Sequence, residues 1–578
     1  MSPSPIRRNR QTASSRCRPA PVSAFPSSML NLTDGACNAD PREEKEMNLK
    51  RRQFLEVAVA STALTMIGIK GARAASDPNV IRIGIAAGGP RTSDPNLTTQ
   101  GGDNWATEQM YEQLVRPADG TFATAPDQYL PTLATEWTMS PDAKSWTFKL
   151  REGVQFHKGY GEMTADDVVF SYKRAIAGGT NMAILSNIAD VVADGPYSVT
   201  VSLKTADVNL LGTTIFSNNT SIVSKKAVDA IGVEKFQTDA VGTGPYELTR
   251  FDPQWGTAMK RHEAYWGDKA KTPNVECVYM ADTTSRTLAL LSGDVDMIEA
   301  VRAPGWVDSM LQRDPTLIID MTSPGSFNTL HVNLNRKPFD NLKVRQALMY
   351  AIDRHAIADA LKPMGGFTAG LQPDFFPAGF KTEDLPPELQ YKPDPEKAKA
   401  LLAEAGFPDG FDFDSNCSQR EDYSSIMLIV QEQLRAVGMR MNLKIGDHTA
   451  YHADNKMDKN TLALHSSSYP PIPTQLYFQQ LSVKSEVKSD GSGGLNYSHY
   501  GVAIPGIDDI LGKALQSTDF NTYVDNCKKI ELQVLRDLPL VGLANLSFTV
   551  ARNARLDLGY KVQSGYARWR FHRAAKTV

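Results

Sequence analysis

An α/β fold of more than one domain is what this sequence predicts, and three observations lead there. Segments with strand period and segments with helix period replace one another along the chain from about residue 80 onward. About 500 residues follow that point, too many for one hydrophobic core, so two or three domains are expected. Hydrophobic residues make up 41% of the chain and charged residues 22%, the ordinary composition of a water-soluble globular protein.

Ahead of that region, Met47 to Ala75 has a different design. Arg51 and Arg52 stand before Phe54 and Leu55, an uncharged apolar run extends from Val57 to Ile69, and Lys70 and Arg73 close it. Ala72-Arg73-Ala74 then places small residues about a cut between Ala74 and Ala75. A basic start, a short apolar middle and an A-x-A end describe a secretory signal peptide. The paired arginines before Phe-Leu resemble a twin-arginine export signal, which a receptor reads as an address. The run falls short of the roughly 20 apolar residues a membrane-spanning helix needs. No cysteine stands at the cut that follows it, so no lipid anchor is expected. Residues 47–74 are therefore expected to be removed, leaving a soluble periplasmic protein. Residues 1–46, rich in Ser, Pro, Arg and Asn without apolar period, read as a non-native or disordered extension, with translation starting at Met47. The intact mass of the precursor tests this start; a species beginning at Met1 would refute it.

Composition excludes several classes. The net charge is −3 with no long basic run, so there is no electrostatic footprint for nucleic acid. Of five cysteines, Cys17 and Cys37 precede the signal. Cys277, Cys417 and Cys527 are too far apart in sequence for metal-type spacing and allow at most one disulfide. Buried, inert thiols are the simpler expectation.

Taken in order, Ile81, Ile83 and Ile85 alternate and predict a strand, running into the Gly-rich loop Ala86 to Pro90, where a ligand could approach backbone. Trp146, Phe148 and Leu150, then Val199, Val201 and Leu203, predict further half-buried strands. Between them Thr164 with Asp166 and Asp167 signals a helix start, so this part reads as an α+β unit of its own. Ser285 to Leu291 reads as a short helix turned at Gly293. A strand is expected from Leu330, followed by a helix with Val344, Ala347, Leu348, Ala351 and Ile352 on one face. Asp394-Pro395-Glu396 supplies cap, first-turn proline and dipole-matched acid for the next helix, stopped at Gly406. Ile426 to Val437 is helical, and Met441, Leu443 and Ile445 alternate as a strand.

On these residues the chain resembles the family 5 extracellular solute-binding proteins, the dipeptide, oligopeptide and nickel receptors of ABC importers. The matching stretches include Pro131-Thr132-Leu133-Ala134 with Glu136-Trp137, Phe148 to Gly159, Thr164 to Val168, Gly242-Thr243-Gly244-Pro245-Tyr246 and Tyr265-Trp266-Gly267. They continue with Ser292 to Asp296, Pro338 to Asn341 with Val344 to Ala347, and Asp394 to Ala398 through Phe407. They stand in the family's order. The resemblance implies a bilobal type II periplasmic-binding fold, α/β, with an extra α+β subdomain inserted in the first lobe. Residues 75–112, 236–325 and 546–578 would form lobe I, 113–235 the inserted subdomain, and 326–545 lobe II. It further implies a receptor that engulfs a peptide or peptide-like solute between its lobes and docks, as a monomer without nucleic acid, on an ABC permease and its ATPase in the inner membrane.

Peptide-binding relatives commonly carry an aspartate near a Tyr-Pro-Asp-Pro segment that pairs with the peptide's amino end. Here the stretch is His465 to Pro473, with Ser468 where that aspartate would stand. A hydroxyl cannot supply the ion pair that anchors an ammonium in a desolvated cleft. Capped peptides, opines, sugar conjugates or other small polar solutes therefore become comparable candidates to free-amine peptides. The same mapping offers Arg91, Asp94, Phe327, Phe367, Arg420, Tyr423, Tyr469, Tyr497 and Tyr500 for the pocket; Arg420 could hold a carboxylate. For each aromatic, core packing is the more frequent explanation. His448 and His452 have helical i, i+4 spacing but no accompanying Glu and no evident third ligand, so neither metal nor cofactor is expected. No G-x-S-x-G or H-E-x-x-H is present, and an enzyme is not expected. A secreted hydrolase acting on peptides or esters is the alternative.

Overall fold

The chain divides into two units, Met1–Ala72 and Arg73–Val578. The computed structural model describes residues 77–98, 101–178, 185–301, 304–563 and 569–577. The expected extension, export signal and cut at Ala74 and Ala75 lie outside the described residues.

Two long strands organise the second unit. Ile318–Val332 and Leu540–Arg552 pair antiparallel, with the register shifting between Thr322 and Ser326 and again between Asn328 and Thr329. Such irregularities bend the strand and increase its twist. At one end Val550, Ala551 and Arg552 pair with Met297–Glu299. At the other, Phe327 to Val332 pair with Leu462–Ser467. One nine-stranded sheet results, the two long strands running from one half of the body into the other.

The first half is built around Val80–Ile85. This strand lies between Asn274–Tyr279 and Met297–Glu299, parallel to both. A central parallel strand is covered on both faces, which is why all its residues but Arg82 are buried and not only the three isoleucines. Beyond it a four-stranded antiparallel sheet comprises Ala134–Met139, Ser145–Leu150, Ser198–Leu203 and Ile188–Ala193 in that spatial order. The helix Ala165–Ala177 starts where expected, the Asp167 carboxylate accepting the Thr164 N–H at 3.0 Å. One core joins Ile81, Ile83 and Val275 to Phe148, Val199 and Val201 of this sheet.

The second half packs helices on the other end of the long strands. Val344, Leu348, Leu402, Ile426 and Val430 bury against Leu330, Leu464 and Val541. Asp394 accepts the Lys397 N–H at 2.9 Å and Pro395 opens the helix Pro395–Glu404, as its sequence dictates. A third cluster crosses between the halves: Phe327, Phe376, Tyr469 and Tyr477 enclose Ala143, Ala206 and Val208.

Most of the short motifs behind the family resemblance hold the first half together. His157 accepts the Gly242 N–H on Nδ1 at 3.2 Å and contacts the Gly244 carbonyl through Nε2 at 2.9 Å, so the Phe-His segment clamps the Gly-Thr-Gly-Pro turn. Burial pushes that imidazole down to about 3, keeping it neutral. The Glu112 carboxylate accepts from Tyr265 Oη at 2.8 Å, Trp266 Nε1 at 2.7 Å and Thr243 Oγ1 at 3.2 Å, and pairs with Arg570. Asp296 of the Ser-Gly-Asp-Val-Asp turn accepts the Arg82 N–H and Lys576 Nζ, each at 2.9 Å, tying the C-terminal segment to the central strand.

Candidate functional site

Where the two halves face each other there is a cavity of about 900 Å³. One wall is the loop Ala86 to Gly89 leaving the central strand, with Arg91 and Asp103; Arg286 and Glu299 continue it. Arg420, Glu421 and Asp422 close it from the second half, and Phe548 and Thr549 of a crossing strand form its floor. The loop lies hard against a neighbouring turn: a Cβ on Gly89 would come within 2.2 Å of the Pro253 carbonyl oxygen, so only glycine fits there. At Gly88 nothing stands within 4 Å of such an atom, leaving backbone open.

The charged groups differ in what already engages them. Glu299 accepts the Ala86 N–H and the Trp105 indole N–H, each at 2.6 Å, one on each oxygen. Arg286 donates to the Glu299 and Met280 carbonyls at 2.8 and 2.6 Å. Arg420 forks onto Asp422 through Nε at 3.0 Å and Nη2 at 2.7 Å, the planar two-point pairing only arginine makes. Asp103 accepts the Arg91 N–H on Oδ1 at 3.0 Å, while its buried Oδ2 has no hydrogen-bond partner. Burial raises the Asp103 carboxyl above its ordinary range, against the pull of the Arg91 N–H. Thr549 Oγ1, also buried, has no partner either.

Of the residues expected from sequence, Arg91 and Arg420 line this cavity from opposite sides. Tyr423 lies one turn inside, its hydroxyl 3.3 Å from the Ser466 carbonyl and its ring against His448 and His452. Ser468 is exposed just beyond the strand Leu462–Ser467. Tyr497 is buried between His331 and His465, at centroid distances of 5.0 and 5.9 Å. Phe327 and Tyr469 are buried against each other at 5.8 Å, within the cluster that joins the halves.

Three other expected residues are engaged by protein partners. Asp94 is fully buried, and its carboxylate is held by both terminal nitrogens of Arg174, so the charge is engaged inside the first half. Phe367 is covered by the stacked His355 ring at 3.8 Å and by the Arg354 guanidinium. The Tyr500 hydroxyl donates to Asp537 and fastens a loop to the helix Phe520–Asp537. Sequence reasoning missed Asp103, Arg286, Glu299, Asp422 and Thr549. Asp103 carried a signal, an acid behind two glycines at a helix start; Arg286 and Glu299 carried none, since only the parallel pairing of distant strands brings their elements beside the loop.

Residues 128–487 match the model of the bacterial extracellular solute-binding proteins, family 5 (middle region). The chain belongs to this family. Among relatives of this family 5 protein, the dipeptide-binding protein of Escherichia coli K12 is 29% identical over 395 residues, 64% of this chain and 70% of that one. Heme-binding protein A of Haemophilus influenzae is 29% identical over 376 residues, 59% of this chain and 64% of that one. Among solved structures, the A. tumefacien R10 binding protein MoaA in complex with mannopinic acid is 26% identical, with a TM-score of 0.69 over 86% of this chain and all of that one. The bilobal type II periplasmic-binding fold expected from sequence is thereby shown, and the family is one of binding proteins, which gives the hydrolase alternative no support. Among the described residues no helix is long and apolar enough to cross a membrane. No group of three or more His, Cys, Asp or Glu among them could hold a metal ion.

Proposed function

We propose that this family 5 protein is the periplasmic receptor of an ABC importer, capturing a peptide or peptide-like small solute in the cavity between its lobes and handing it unaltered to a permease with its ATPase. The observation that carries this reading is the position of the cavity: arginines from opposite halves, Arg91 and Arg420, line one space beside strands shared by both. A solute touching both walls favours the closed arrangement by its differential affinity, and the population shifts accordingly. The lobes follow the boundaries read from sequence: 75–112, 236–325 and 546–578 for lobe I, 113–235 for the inserted subdomain and 326–545 for lobe II. The twin-arginine signal at residues 47–74 delivers the protein, already folded, to the periplasm as a soluble monomer that binds no nucleic acid.

A serine at position 468, which carries no charge, supports a solute whose anchoring charge is not met from that position. Relatives named for a dipeptide and for heme, and a neighbour bound to mannopinic acid, show how widely ligands vary on this scaffold. Native mass spectrometry of the purified mature protein tests the proposal. One small molecule per chain, released on denaturation with unchanged mass after prolonged incubation, is expected. Conversion of added peptide or ester by pure protein would refute it.

A further inference from the structure

Resting on the receptor reading above, we infer that Asp103, on the wall of the first half, is the anchor for a protonated amine of the solute. The state of the acids around the cavity points there. Asp103 lines the cavity at 2% exposure, with Oδ1 engaged by the Arg91 N–H and Oδ2 buried and unpartnered. A carboxylate oxygen in that state carries a desolvation penalty that a bound donor relieves. The other acids with protein partners differ: both oxygens of half-buried Glu299 are occupied by protein donors, and buried Asp422 is forked by Arg420.

Charge selects the kind of donor. Arg91, Arg286 and Arg420 face Asp103, Glu299, Glu421 and Asp422, three cations against four anions, so one added positive charge balances the cavity. A neutral hydroxyl would satisfy the oxygen but leave that imbalance. Thr549 Oγ1, buried and unpartnered on the floor of the same cavity, offers a second contact that can donate or accept. The amine is thus gripped by the first half rather than at Ser468, where family-like sequences would place the acid, and a free amine is compatible with a serine there. Primary and secondary ammonium groups share this chemistry.

The test uses the mature protein and titration calorimetry with Met-Leu, Ala-Glu and reduced glutathione, each beside its N-acetyl counterpart. D103N keeps the side-chain volume and an oxygen for the Arg91 N–H; Asp103→Glu keeps the charge at a displaced position. Expected is binding of at least one free-amine probe, a tenfold or greater loss on N-acetylation, and a similar loss in D103N with partial recovery in Asp103→Glu, all with wild-type melting curves. A probe that binds wild type and D103N equally, or an N-acetyl probe that binds as well as its parent, overturns the inference while leaving the receptor reading intact. Failure of every probe to bind wild type, with no co-purified solute in native mass spectrometry, overturns both. A co-purified solute without a basic nitrogen overturns the inference alone.

Discussion

The ring of Phe122 meets that of Phe376 with centroids 5.7 Å apart, and meets that of Phe375 at 6.0 Å. Phe122 belongs to a loop of the first half and the two partners to the second, so this contact exists only while the halves are together. Aromatic pairs contribute about 0.5–1.5 kcal/mol beyond the area they bury. Phe122→Ala is therefore expected to weaken solute binding roughly threefold to tenfold, mainly through faster release, since the lost contact forms on closure. Stopped-flow release and a urea melt check this. An unchanged release rate, or a large loss of global stability, would contradict it.

Glu112 and Arg570 form a fully buried ion pair at 3.4 Å, with Tyr265, Trp266 and Thr243 donating to the same carboxylate. Glu112→Gln removes the nearest counter-charge of the guanidinium, leaving only Glu108, and breaking one partner of a buried pair costs about 3–5 kcal/mol. Urea unfolding should show that loss, while the affinity of the folded fraction changes little because the cluster lies away from the cavity.

That cluster also shows what was legible in the sequence. The motifs that carry the family resemblance were readable because they are local: a cap at Asp394, a turn at Gly242, alternation at Trp146, Phe148 and Leu150. They report packing, and they assemble around His157 and Glu112 rather than around the cavity. The two crossing strands were far less legible. Leu540–Arg552 is buried at all but two positions and therefore shows no alternation. Ile318–Val332 contains Pro324 and Gly325, residue types disfavoured inside strands, and only its end near Leu330 was expected as strand. The cavity wall depends on these strands and on the parallel pairing of Val80–Ile85, which is why Arg91 and Arg420 were found by analogy while Asp103, Arg286 and Glu299 were not.

Acid should destabilise the protein. Burial holds His157 down to about 3 and His465 to about 4, and half-buried His452 to about 4, its burial aided by His448 and Arg420. Between these values and about 6.5 the unfolded chain binds more protons than the native one, so the contribution of these histidines is flat above pH 7 and falls as pH drops through 6.5 toward 4. Glu531, raised to about 7 by burial, runs the other way, its contribution being lost as pH rises from its unfolded value through 7. His499 also opposes the trend: burial lowers it, but Asp458 and Glu486 hold it above its usual value. His572, also held down to about 3 by burial, and His331, held well below its usual value by burial, add to these, so the acid-labile direction prevails. Urea midpoints that were constant or rising from pH 7 to 4 would contradict this balance.

Cys277, Cys417 and Cys527 are buried and unbridged, and burial pushes each thiol up to about 12. The thiolate is the reactive form, so all three should resist a thiol-specific reagent in the native protein and react once it is unfolded in urea. Rapid modification of any of them under native conditions would contradict their placement.

Clamping of a solute between the lobes is tested most directly by small-angle X-ray scattering on protein stripped by unfolding and refolding, then reloaded with the solute it released. The radius of gyration should fall on reloading, and the solute should be recovered afterwards with its mass unchanged. Identical scattering with and without solute, or recovery of a chemically altered molecule, would contradict capture by closure.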